Sequence, residues 1–273
     1  MTGTCQLCLT ENADLRDSHF LPRSLYKLMR TEDYAPVHIS EKSVYSSVKQ
    51  VKDYVFCGDC EQVFGRAEAW IKPLLPVAGG PFPLREKLLS VSPVKQVESG
   101  AVYETAANPG IDVAKLSHFA IGVFLKAAVH SWQATHGEPY MRLEPEEVDA
   151  LRSYLLGKAD LPENMALCVT VDSLPVVWQA MIQPYRIESL RGLKRYIFYI
   201  PGIAFQLLIG ANVRDIMPDN FIANPGHPIL VEDVSHTMRD ASREMTANAR
   251  KPADVEKSTS EIEAKGLSIR LDK

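Results

Sequence analysis

Residues 57–68 read CGDCEQVFGRAE, and the work done by the two cysteines in it decides the fold. Cysteines with two residues between them are either a pair of metal ligands or a redox couple. The same spacing occurs at Cys5 and Cys8, in CQLC, with 48 residues between Cys8 and Cys57. Each pair has the spacing of a knuckle whose thiolates take two corners of a tetrahedron, so Cys5, Cys8, Cys57 and Cys60 predict one four-cysteine zinc site. Four thiolates leave no open coordination position, so the zinc is expected to be structural. The alternatives are two redox motifs or four ordinary buried thiols. A redox pair sits at a strand-to-helix start within a βαβ pattern, and a helix after Cys60 alone does not supply one.

The bulk properties bound what such a site serves. At 273 residues the chain makes one large domain or two small ones, and its 46% apolar and 23% charged residues are ordinary for a globular protein. A net charge of −4 gives no global attraction to nucleic acid or anionic membrane. The first 73 residues hold 9 Lys and Arg against 10 Asp and Glu, so they form no obvious basic patch. The N-terminus lacks a basic start followed by an apolar run, and AIGVFL and MALCVTV fall far short of the roughly 20 residues a membrane helix needs. The expectation is a soluble cytoplasmic protein with no membrane partner, its five cysteines present as thiols or thiolates rather than disulfides.

The expected fold is α+β. Residues 1–75 form the zinc-clamped module, and 76–110, opening on a Pro- and Gly-rich stretch, form a linker or short strands. Residues 111–234 form an α+β domain. From Ile111 to Thr135 apolar residues recur at helical spacing, and LEPEEVDALRSYLLG places Pro145 early in a second helix with Gly157 just past its end. MALCVTVDSL, VVWQAMIQPYRI, KRYIFYI and AFQLLIGANV then predict three or four antiparallel strands packed on those helices. Residues 235–273 are polar and read as a tail, helical or disordered.

Between the knuckles lies SHFLPR, residues 18–23. The succession Cys-x-x-Cys, Ser-His-x-x-Pro-Arg, aromatic-Cys-x-x-Cys-Glu-x-x-Phe-Gly-x-x-Glu resembles a branch of the HNH (ββα-metal) endonuclease superfamily, over residues 5–75. The branch is similar to proteins found in bacterial anti-phage settings. That resemblance implies an active-site hairpin and helix framed by the zinc clamp. It implies His19 as the general base that activates water for attack on a phosphodiester, and Glu61 as ligand to a divalent Mg or Mn ion. It also implies nucleic acid, DNA foremost, as partner, with Arg23 and Arg66 as the cations at its backbone. Separately from the resemblance, residues 111–273 are the expected place for any protein partner.

The sequence departs from that pattern. The residue before the base is ordinarily an acid or histidine that binds the metal, and here it is Ser18, with Asp17 on the opposite strand face. The usual middle Asn is absent, and Lys52 and Asp53 lie near its place. The competing expectation is therefore a catalytically degenerate module acting as a binding or scaffold subunit. A DNA-binding regulator is disfavoured because the chain shows no basic stripe and no helix-turn-helix pattern.

Plainer readings stand beside each residue. His19 can be a hydrogen-bonded structural histidine, and Glu61 can simply complement a helix dipole. Glu68 reads as structural, on a solvated stripe or against Arg23 or Arg66. Cys168 reads as a core thiol. His118 and His130, 12 positions apart, are about 120° out of phase on a helix and do not form a shared ligand pair. Arg186, Arg191, Lys194 and Arg195, interleaved with Tyr185 and Tyr196, read first as a charged hairpin tip and second as a nucleic-acid contact.

Overall fold

The computed structural model describes residues 1–29, 37–39, 44–46, 50–77, 80–132, 139–174 and 180–234. The chain opens with β1 (Thr2–Gly3) and β2 (Ala13–His19), continues through α1 (Arg23–Met29), β3 (Val37–Ile39) and β4 (Val44–Ser46), and returns in β5 (Lys52–Cys57) and α2 (Gly58–Ile71). β1, β2 and β5 make a small antiparallel sheet, and α2 leaves directly from its last strand. Cys57 is both the end of β5 and the N-cap of α2. Asp59 and Glu61 then place negative charge in the first turn, where the helix dipole favours it.

A bulge shapes this hairpin. Arg16 lies opposite Phe56 and Asp17 opposite Tyr54, so Val55 is an extra residue in β5. α2 buries Cys60, Phe64, Ala67 and Ile71, which fall on one stripe of a 3.6-residue helix. Phe64 meets Phe56 edge-on, with ring centroids 4.8 Å apart.

The rest of the chain supplies α3 (Pro83–Leu89), β6 (Lys95–Val97), β7 (Gly100–Glu104), α4 (Val113–Val129) and α5 (Pro145–Leu155). β8 (Met165–Asp172), β9 (Ala180–Leu190), β10 (Leu193–Ile200), β11 (Ile203–Ile209), α6 (Val213–Ile216) and β12 (Pro228–Glu232) follow. These strands form a nine-stranded sheet in the order β4-β3-β9-β10-β11-β8-β12-β7-β6. The fold class is α+β, as expected. The four apolar segments read as strands are β8 to β11, and they form the continuous antiparallel block at the centre of the sheet. The flanks differ from the expectation of a purely antiparallel sheet. β3 runs parallel to β9, and β12 runs parallel to β8. Both flanking strands arrive from distant parts of the chain rather than through a hairpin, so nothing forces them to run antiparallel.

α4 is the centre of the molecule. Eleven of its residues are buried, on all sides of the helix, which is the pattern of a helix enclosed by other elements. Gly122 lets it approach α2, since a Cβ there would stand 3.0 Å from the Phe64 ring. Phe119 and Phe124 pack on Phe198 of the sheet, with centroids 6.4 and 4.9 Å away. One continuous apolar cluster runs from Cys5 through this helix to Val231. α4 ends at Val129, short of Thr135, because His130 is extended and turns Trp132 back into the core. α5 begins with Pro145 and a Glu144–Glu147 capping box, and Gly157 follows it at φ 66°. Among the described residues no helix is long and apolar enough to cross a membrane. The polar segment 235–273 lies outside them.

Candidate metal centre and hairpin–helix site

The sulfur atoms of Cys5, Cys8, Cys57 and Cys60 all lie within 4.8 Å of one another. Zinc with bonds of about 2.3 Å sets tetrahedral sulfurs about 3.8 Å apart, and Cys8 and Cys57 Sγ are separated by 3.9 Å. The group can therefore hold a zinc ion. The first knuckle is a tight turn in which the Cys5 N–H reaches the Thr10 carbonyl and the Leu9 N–H reaches the Cys5 carbonyl, with Leu9 at φ 62°. The Gln6 N–H donates to the Val55 carbonyl, which lays this knuckle against β5. The Cys57 N–H points at Cys5 Sγ, 3.3 Å away, as backbone amides do toward thiolate ligands.

The thiols are not independent. A hydrogen bond from the Cys60 thiol pulls Cys5 down to about 4, and Cys60 is pushed up in turn because that bond holds its proton. Burial raises Cys57. A dication at the centre of the cluster is what would allow all four to ionise together.

At the other end of the hairpin, His19 is the last residue of β2 and is half-buried. Its ring makes no hydrogen bond or ion pair among the described residues. Strand alternation sets its side chain on one face with Asp17, Lys52 and Tyr54, and sets Ser18 and Asp53 on the other. Asp17 is ion-paired with Lys52, and Tyr54 is exposed. Ser18, the residue before His19, is fully buried. Its Oγ accepts from the Phe56 N–H and donates to the Arg16 carbonyl, both at 3.2 Å, so it braces the bulge.

The face that carries Ser18 is closed by the end of α4. His130 Nε2 donates to Asp53 Oδ2 at 3.0 Å, and this bond is the main cause holding the Asp53 carboxyl below its usual range. Lys126 Nζ lies 2.9 Å from Glu68 Oε1, 3.1 Å from the His19 carbonyl oxygen, and 4.5 Å from the Phe64 ring centroid. Trp132 Nε1 donates to the Lys126 carbonyl at 2.8 Å, and its ring meets Phe20 edge-on at 5.4 Å.

Glu61 and Glu68, seven residues apart, point within about 20° of each other from α2. Glu68 is structural, but its partner is Lys126 rather than Arg23 or Arg66. Glu61 makes no hydrogen bond or ion pair among the described residues, and its Oε1 is buried without a partner. No hydrogen bond or ion pair links it to the His19 ring. Arg23 and Arg66 are both exposed, on α1 and α2. His118 packs on Tyr154 while His130 joins Asp53, so the two histidines are indeed not a ligand pair. Lys126 is the residue that sequence reasoning did not pick out, whereas Asp53 was noted only for lying near the place of the absent Asn and His130 only for its phase relative to His118. The one available signal was a lone lysine inside the apolar run FAIGVFLKAAV.

Among the described residues, the four cysteines are the one group of three or more metal-capable side chains within reach of a common ion. No protein-family model, curated protein or solved structure matches the chain.

Proposed function

We propose that the chain is a divalent-metal-dependent endonuclease of the ββα-metal type. In this reading residues 5–75 are built around a structural zinc, and the substrate is nucleic acid, DNA foremost. The observation that carries it is the arrangement of β2, β5 and α2. Two antiparallel strands pair, the second runs directly into a helix, the cysteine cluster lies at one end, and a histidine whose ring is unengaged among the described residues stands at the other. The unpartnered, buried Oε1 of Glu61 fits a cation ligand, since a buried carboxylate oxygen without a partner carries the full cost of its desolvation. A Mg or Mn ion held there would polarise the phosphodiester and carry charge on the leaving oxygen.

His19 takes the proton from the attacking water, a role open to an imidazole that makes no hydrogen bond among the described residues. The zinc clamp fixes where α2 leaves β5, and so where Glu61 stands. Arg23 and Arg66 meet backbone phosphates, and residues 111–273 are the place for a protein partner. A cytoplasmic effector role in phage defence rests on the resemblance of the motifs.

The test is cleavage of plasmid, single-stranded DNA and RNA by the purified chain with Mg²⁺ and with Mn²⁺, beside His19→Ala and Glu61→Gln. Metal-dependent cleavage that falls at least about 100-fold in His19→Ala supports the reading. An inactive wild type over a wide concentration range overturns it.

A second reading, a degenerate module that binds without cutting, is favoured by Ser18 and Glu68. Ser18 is committed to bracing the bulge, and Glu68 is neutralised by Lys126. Binding of nucleic acid or of a protein by a chain that never cleaves would establish it.

A further inference from the structure

Lys126 is the one fully buried lysine among the described residues, with 3% of its side chain exposed. An ammonium taken out of water is strongly destabilising unless its donors are answered. Three groups answer this one: the Glu68 carboxylate, the His19 carbonyl and the face of Phe64. They belong to two elements, α2 and the end of β2, while the lysine belongs to a third, α4. The main chain of Lys126 is fixed as well, because its carbonyl accepts from Trp132, whose ring abuts Phe20. The strand end is thus held at His19 by the ammonium and at Phe20 by the indole. His19 is the candidate base, and its carbonyl lies on the same residue as the ring that must meet water.

We propose that Lys126 is a positioning residue: its ammonium, seated on Glu68, fixes the β2 terminus and thereby the place of the His19 imidazole. The site is consequently a composite of the zinc-clamped module and α4, not a property of residues 5–75 alone. The catalytic consequence rests on the nuclease reading, whereas the positioning itself does not.

The experiment uses the zinc-loaded full chain and residue-resolved amide exchange of wild type, Lys126→Met, Glu68→Gln and the double variant. The Phe20 amide, bonded to the Val51 carbonyl, reports the strand end, and the Leu15 amide, bonded to the Met1 carbonyl, reports the region near the clamp. Lys126→Met is expected to speed exchange at Phe20 about 10-fold and leave Leu15 within about 2-fold, since local opening and global unfolding are separable. The double variant is expected to match Lys126→Met, because the two side chains act as one unit. Equal acceleration at both amides, or additive effects, would show a merely general loss of stability and overturn the inference.

Should Lys126→Met fail to fold, Glu68→Gln carries the same comparison, with about 3-fold acceleration at Phe20 and none at Leu15 expected. In cleavage, Lys126→Met is expected to lower kcat about 100-fold with KM within about 3-fold, and Lys126→Arg to recover part of it. An inactive wild type overturns the nuclease reading and leaves the exchange pattern to decide the positioning.

Discussion

In the large sheet, β10 and β11 meet through Phe198 and Phe205, whose rings stack 4.7 Å apart and are covered by Phe119 of α4. Around the hairpin, a serine hydroxyl joins β2 to the bulge of β5, an Asp53–His130 bond ties β5 to the end of α4, a Lys126–Glu68 pair ties α4 to α2, and four sulfurs gather the first knuckle onto the β5–α2 junction. The sheet relies on apolar area, which is non-directional and forgiving of small shifts. The hairpin relies on groups that work only in one geometry and are costly when a partner is lost. A small unit with polar commitments at its centre has a defined shape but little reserve, and a metal held by the four sulfurs would supply what its core does not.

The largest expected effect lies on the metal. Cys57→Ser, or a strong chelator, should reduce zinc from one per chain to near zero and remove on the order of 10 kcal/mol from the hairpin–helix unit. Metal analysis together with amide exchange checks this, with the amides that join β8, β10 and β11 expected to stay protected. If those amides are lost with the metal, the two regions are a single cooperative unit and the contrast breaks. The converse is Phe198→Ala, which should cost about 3–5 kcal/mol in chemical denaturation. Zinc content should be unchanged below the transition.

A third test concerns the end of the sheet. Burial raises the Asp172 carboxyl from 3.8 to about 6, with the bond from the Leu174 N–H opposing the shift. The folded state therefore holds that proton more tightly than the unfolded one, so stability falls as pH rises from about 4 to about 6, by about 2–3 kcal/mol. In Asp172→Asn that slope should flatten while the zinc site is untouched, which pH-dependent denaturation would show.

The smallest effect expected is a gain. Leu9 holds φ 62° in the first knuckle and is 49% exposed, so Leu9→Gly relieves a left-handed strain and should raise stability by less than about 1 kcal/mol. A rise in the denaturation midpoint with unchanged zinc affinity would show that the metal, not the knuckle backbone, limits the unit.

Legibility in the sequence followed the same division. The cysteine spacing, the four central strands and the Pro145 and Gly157 boundaries carry local signatures, and each was readable. Strand pairings between residues far apart have no local signature. The β3–β9 and β12–β8 pairs were accordingly not anticipated, and the sheet is wider and more mixed than the apolar runs suggested. Lys126 was missed because a lysine is read as surface unless its carboxylate is known, and Glu68 lies 58 positions away. His130 was judged by its phase relative to His118, whereas its partner comes from another element altogether.

The two knuckles bracket residues 9–56, and that bracket contains β3, which supplies the neighbour of β9. The clamp thus also secures one margin of a sheet it does not touch. A chain that loses its metal slackens the span delivering β3 and uncovers the β9 edge, whose free N–H and C=O groups are a template for another chain. Metal depletion should therefore appear as self-association at protein concentrations where the loaded chain stays dispersed, together with loss of the hairpin–helix unit and before the central strands open.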